Sequence, residues 1–173
     1  MKHLTKAILV LGAMTLGACT NANRFDNDGV VDLNSSANSG SALNDGGAND
    51  PTSPAYFQHT IGDRVLFEVD QSSLTSAGRA TLNGQANWLK TNADYVAIIE
   101  GHADEQGTRE YNLALGARRS NTVREYLVSQ GVPAARLRTV SYGKERPIEI
   151  CSQESCYTQN RRAVTIISAG LSS

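Results

Sequence analysis

Hydrophobic and polar residues divide this chain into three stretches. Lys2 and Lys6 precede a short apolar run at Ala7–Leu11, and small and apolar residues continue to Ala18. Thr20–Ala55 is dominated by Asn, Ser, Gly and Asp, with few large apolar residues. Beyond Tyr56 the apolar positions become periodic. Arg64–Val69 (RVLFEV) is rich in β-branched and aromatic residues and predicts a strand, followed by a loop at Asp70–Ser73. Leu82, Ala86 and Leu89 repeat at helical spacing, so the pattern predicts a helix over Ser76–Lys90, capped by Thr75, with Trp88 beside the buried stripe. Gly78 and Gly84 weaken that helix. Tyr95–Glu100 (YVAIIE) is nearly continuous in apolar residues and suits a buried strand. Thr108 opens a second helix whose small and apolar face is read as Leu113, Ala117, Ser120, Val123 and Leu127, with Gly131 and Pro133 ending it. A short turn at Ala134–Ala135 and strands at Leu137–Tyr142 and Arg162–Ser168 complete the set. Strands alternating with helices predict an α/β two-layer sandwich with helices packed on a four-stranded sheet, and no internal repeat is present.

The first stretch reads as a secretory signal over residues 1–18, because the apolar run falls short of the ~20 residues a membrane span needs. Its end, Leu16-Gly17-Ala18-Cys19, resembles the lipobox of bacterial lipoproteins, which implies lipidation of Cys19. Thr20 stands where the inner-membrane retention signal of such proteins has Asp, so the resemblance implies a lipid anchor in the outer membrane and a domain facing the periplasm. Residues 19–55 then form an anchor and a flexible tether, since this stretch buries too little apolar surface to offset its ordering entropy. About 36 residues of such a tether average roughly 30–36 Å end to end and stretch to about 120 Å. The folded domain is assigned to residues 56–173.

Two further cysteines, Cys151 and Cys156, remain in an exported chain, which favours a disulfide between them over a metal site, because no CxxC or HxxxH partner lies nearby. No cofactor or metal is expected. A net charge of −1 and a pI near 6.3 argue against a sequence-independent nucleic-acid binder, which needs a basic face.

The chemistry concentrates in Glu100–Leu127. Asp104 follows the Tyr95–Glu100 strand in a glycine-containing loop, where ligands gather in α/β sheets. Asn112 and Arg119 lie nearly two helical turns apart, about 10 Å along the axis, on a face read as distinct from the apolar one. A carboxylate near a guanidinium can hold a zwitterion, although an ordinary ion pair gives the same local pattern. Glu100, His102, Asp104 and Glu105 also suggest an acid–base or metal cluster, but His59 is isolated and no nucleophile accompanies His102. An enzyme is therefore disfavoured. Arg161 and Arg162 read either as supports of the loop or as solvated charges, Arg118 as surface, and Lys144-Glu145 as a turn.

These residues carry a resemblance. GHADEQGTREYNLALGARRSNTVREYL, together with LFEVDQSSL, Val140-Ser141-Tyr142-Gly143 and Asn160-Arg161-Arg162-Ala163-Val164, resembles the OmpA-like peptidoglycan-binding domain over about Val65–Ile167, and in particular its peptidoglycan-associated lipoprotein branch. The resemblance implies a mixed sheet and noncovalent binding of meso-diaminopimelate in peptidoglycan stem peptides. By it, Asp104 accepts the ligand ammonium, Arg119 holds the carboxylate, Asn112 contacts the peptide, Phe67 and Asp70 form another wall, and Thr108 and Tyr111 sit close by. It further implies TolB and other Tol proteins as partners in envelope constriction at cell division, with OmpA-type porins as further partners. A cell-wall anchor independent of the Tol system is the alternative within the same family. The Cys151–Cys156 segment departs from the family pattern and affects the rim rather than the ligand pair.

Overall fold

The structure, a computed structural model, describes residues 47–170. The predicted signal, Cys19 and the tether up to residue 46 lie outside the described residues.

Helix α1 (Pro54–Tyr56) runs into a π-helical turn, Phe57–Gly62, and is followed by β1 (Arg64–Leu66), α2 (Ser76–Thr91), β2 (Tyr95–His102), α3 (Arg109–Ser129), a 3-10 turn (Ala134–Arg136), β3 (Leu137–Gly143), α4 (Glu154–Asn160) and β4 (Arg162–Ala169). The four strands form one mixed sheet in the order β1-β4-β2-β3. β4 runs antiparallel to both β1 and β2, and β2 runs parallel to β3. This is the α/β sandwich anticipated from the alternation of strands and helices.

Local chemistry explains the element boundaries. The Thr75 hydroxyl accepts from the Gly78 amide at 3.0 Å, and the Thr108 hydroxyl accepts from the Tyr111 amide at 3.2 Å, each satisfying an orphan donor at a helix start. Gly131, at φ +94, follows α3 in the left-handed conformation that only glycine adopts cheaply. The α2 stripe of Leu82, Ala86 and Leu89 packs with Ala97 and Ile99 of β2 and Val123 and Leu127 of α3 in the core. Each large aliphatic side chain so buried contributes about 1.5–3 kcal/mol. Arg136 closes the end of the core away from the loops around Asp104. Its Nε donates to the Tyr95 carbonyl, and its terminal nitrogens donate to Leu89 and Asn92 carbonyls, all at 2.8 Å. A guanidinium at those α2 carbonyls also suits the negative end of the helix dipole.

Four expectations are corrected. First, β1 ends at Leu66 rather than Val69, because the chain turns at Glu68–Gln71, with the Gln71 amide donating to the Glu68 carbonyl and Asp70 at φ +54. Second, α3 is rotated relative to the face read from its sequence. Leu113 and Ala117 are exposed, whereas Asn112, Leu115, Gly116 and Arg119 share the buried face with Ser120, Val123 and Leu127. Glycines set that rotation. A Cβ on Gly101 would lie 1.8 Å from the Gly116 carbonyl oxygen, and one on Gly116 would lie 2.4 Å from the Ser141 hydroxyl. Backbone therefore meets backbone where α3 crosses β2. Third, α4 occupies a stretch for which the pattern predicts no helix. Fourth, ordered structure begins before Tyr56. Ser53 is buried and caps α1, and the Trp88 indole donates to the Pro51 carbonyl at 2.7 Å.

Candidate functional site

The carboxyl end of β2, the start of α3, the β1–α2 loop and the α4–β4 junction meet at one end of the sheet. Asp104 leaves β2 two residues after its last residue and is almost buried, at 7% exposure. One carboxylate oxygen accepts from the Gln106 amide at 3.3 Å, and the other pairs with the Arg161 guanidinium at 3.2 Å.

Arg119 is fully buried and faces three backbone carbonyls. Its Nε donates to Gln71 at 2.8 Å, and its terminal nitrogens donate to His102 at 2.8 Å and Glu68 at 3.0 Å. The guanidinium also lies 5.2 Å from the centre of the Phe67 ring. Burial pulls its pKa down to about 10, opposed by Asp104, the strongest of the charges acting on it. Arg119 therefore stays cationic at neutral pH. Arginine has five N–H donors, so two remain uncommitted to these carbonyls, one on each terminal nitrogen. The view of Asp104 and Arg119 as two unpartnered halves of a clamp is thereby corrected. Each is already held, and neither is the other's hydrogen-bond partner.

The other predicted residues surround this pair. Asn112 is buried, and its amide donates to the Gln106 carbonyl at 2.7 Å, fixing the loop after Asp104. Thr108 caps α3. The Tyr111 hydroxyl lies 3.3 Å from the Asp70 carboxylate, joining α3 to the β1–α2 loop. Phe67 is buried beneath Arg119, whereas Asp70 and Tyr111 are exposed at the rim.

Three supporting residues escaped the sequence reading of their roles. Arg161, left there as either a support or a solvated charge, is 3% exposed and connects Asp104 with Glu154, Thr158 and the Phe67 carbonyl. Burial works against its charge, but hydrogen bonds and ion pairs with Glu154 and Asp104 outweigh it and raise its pKa. Lys144, read as a turn residue, donates to the Gly107 carbonyl at 2.7 Å. Asn160 accepts from the Ile148 and Glu149 amides and donates to Glu105, which shapes the β3–α4 loop. Only the adjacent pair Arg161-Arg162 carried a sequence signal, and its partners lie as far as 94 residues away in the chain. Cys151 and Cys156 are joined by a disulfide, with Cα atoms 5.9 Å apart.

His102 does not form the cluster considered with Asp104. Its ring nitrogens have no hydrogen-bond partner, it stacks on Tyr142, and Glu100 approaches to 3.5 Å. Burial, then Arg162, Arg146 and Arg64, push its pKa down to about 3, so the ring is neutral at pH 7. Asp104 instead binds Arg161.

The four-stranded mixed sheet with helices packed on it defines a known class of domain. The OmpA family model matches residues 66–161, and the chain belongs to that family. Peptidoglycan-associated lipoprotein of Mesorhizobium japonicum is 54% identical, covering 73% of this chain and 75% of the relative. The protein of that name from Rhizobium meliloti is 46% identical over 92% of this chain and 85% of its own length. The crystal structure of the peptidoglycan-associated lipoprotein from Burkholderia pseudomallei superposes with a TM-score of 0.62 at 38% identity, covering 70% of this chain and 98% of that one.

Proposed function

We propose that this protein is an outer-membrane lipoprotein whose periplasmic domain binds peptidoglycan noncovalently and performs no reaction. The observation that carries this reading is a nearly buried carboxylate, Asp104, two residues beyond His102, whose carbonyl accepts from the buried Arg119 guanidinium at the carboxyl end of β2. Membership of the OmpA family and similarity to relatives named for association with peptidoglycan support the same reading.

The ligand end group is the distal ammonium and carboxylate of diaminopimelate. Its ammonium takes the Asp104 oxygen, a short charge-assisted contact in a poorly solvated position. Its carboxylate takes the uncommitted N–H groups of Arg119, and the Glu68–Gln71 turn yields to admit it. Asn112 holds the floor of the site, Thr108 and Tyr111 its helical side, and Phe67 and Asp70 its opposite wall. A lysine stem peptide has no distal carboxylate, so it leaves the arginine unanswered and binds less tightly. Modest affinity per site suffices, because many anchored copies face a polyvalent polymer.

Lipidation at Cys19 and the tether expected over residues 19–55 would give the domain reach to the wall, with TolB and other Tol proteins as the partners in envelope constriction. The test is sedimentation of the full chain, in detergent, with purified diaminopimelate-type peptidoglycan. Asp104→Asn is expected to remain in the supernatant while wild type pellets. Co-sedimentation of a folded Asp104→Asn variant at the wild-type level would contradict the site. Loss of outer-membrane constriction on deletion of the gene tests the Tol assignment, and normal division would refute it.

A further inference from the structure

We propose that the disulfide-stapled helix α4 is a positioning element for the ammonium half of the site, with Glu154 drawing the Arg161 guanidinium away from Asp104 so that Asp104 keeps charge for its ligand. This inference rests on the peptidoglycan reading above.

Helix α4 has seven residues, and no side chain caps its start. Isolated helices shorter than ~12–15 residues are marginal in water, so α4 needs an external constraint. The Cys151–Cys156 bond supplies one, joining the residue two before the Gln153 cap to the first turn. That turn carries Glu154, whose carboxylate pairs with the Arg161 terminal nitrogen that also donates to the Thr158 hydroxyl at 3.0 Å. The other terminal nitrogen reaches Asp104, and Nε donates to the Phe67 carbonyl at 3.2 Å. One guanidinium thus ties the stapled helix to two walls of the ligand site.

The charge count gives Glu154 its role. Arg161 pairs with two acids, Asp104 and Glu154. Without Glu154, Asp104 is the one acid left among its partners. An incoming ammonium then has to compete with Arg161 for Asp104. With Glu154 in place, Arg161 is shared between two acids and Asp104 remains receptive. Glu154 is exposed and is connected to Asp104 through the Arg161 guanidinium. It acts through Arg161 and is a positioning residue.

The experiment uses the full chain in detergent and a diaminopimelate-containing stem peptide, with the same peptide acetylated on its distal amine as the second probe. Binding is followed by calorimetry. Glu154→Gln is expected to bind the free-amine peptide roughly five- to ten-fold more weakly, a change of about 1–1.4 kcal/mol. It is expected to bind the acetylated peptide like wild type, because that ligand no longer offers Asp104 an ammonium. The double variant Cys151→Ser/Cys156→Ser should show the same selective loss. Equal affinity of Glu154→Gln and wild type for the free-amine peptide overturns the proposal. So does an equal loss for both peptides, which reads as general distortion of the site. If wild type binds neither peptide, the peptidoglycan reading itself fails. If the cysteine variant does not fold, the exposed Glu154→Gln substitution decides alone.

Discussion

Arg119→Lys separates the two jobs that the structure gives this residue. The substitution keeps the charge and the apolar stem but replaces a planar fork by a single ammonium. In wild type three N–H groups reach three carbonyls on two segments, Glu68 and Gln71 in the β1–α2 turn and His102 at the end of β2. Of these contacts, the one to His102 is fully buried, so the lysine ammonium is expected to stay there. The Glu68 and Gln71 contacts are part-buried, so their carbonyls regain water when the donor is lost. A hydrogen bond from a charged donor contributes about 1.5–3 kcal/mol when fully buried, and partial exposure reduces each of these two to about 1–1.5 kcal/mol. The expected loss of folding stability is therefore about 2–3 kcal/mol, a large share of the ~5–15 kcal/mol typical of a domain. Urea unfolding of the full chain, followed by tryptophan fluorescence, reads it. Trp88 lies in the core, so its emission reports the transition. With a slope of ~1–3 kcal/mol/M, the midpoint should fall by about 0.7–3 M with the slope unchanged. A loss below about 0.5 kcal/mol would contradict this, because it would mean that the Glu68 and Gln71 contacts contribute little to holding the turn. Binding lost by any Arg119 variant has to be judged against this stability change.

Other expectations follow from single features of the fold. Gly116→Ala should prevent normal expression of folded protein or lower its thermal midpoint steeply, since its Cβ would lie 2.4 Å from the Ser141 hydroxyl and 2.7 Å from the Gly101 carbonyl oxygen; a wild-type melting curve would contradict the close crossing. His102 is neutral when folded, with its pKa lowered from 6.5 to about 3, so the unfolded chain binds its proton first and stability falls as pH drops through that window. At pH 4.5 the cost is up to about 2.7 kcal/mol, and His102→Leu should flatten the dependence of unfolding free energy on pH between 6.5 and 4.5. Trp88→Phe removes the donor to Pro51 and should cost about 1 kcal/mol beyond the loss of ring volume, with hydrogen exchange rising at the Asp50, Thr52 and Ser53 amides; unchanged exchange there would show that the indole does not hold this segment.

The framework was legible because its signals are local. Thr75 and Thr108 cap helices through residues three positions away, and the Tyr95–Glu100 run is apolar because it lies between strands on both sides. The α3 face was misread because polarity misleads there. Asn112 and Arg119 occupy the buried side, satisfied by backbone carbonyls, while Leu113 is left at 42% exposure. Side-chain volume and charge alone cannot distinguish a buried guanidinium with three acceptors from a solvated one. Asp104 stood out by its place after a strand. Its tie to Arg161 spans 57 residues and depends on α4, a seven-residue helix with no apolar stripe and a disulfide beside it. Such a connection exists only once the sheet has assembled, so no window of sequence contains it. The same holds for Lys144, whose acceptor at Gly107 lies 37 residues away.

The central claim is that Asp104 and Arg119 together select a zwitterionic end group. The most direct test is calorimetric titration of the full chain, in detergent, with two stem peptides identical except that one carries diaminopimelate and the other lysine. The account predicts binding of the diaminopimelate peptide at least roughly ten-fold tighter, or about 1.4 kcal/mol, with Asp104→Asn weakening both. Equal affinity for the two peptides would contradict it, because Arg119 would then have no part in recognising the ligand carboxylate.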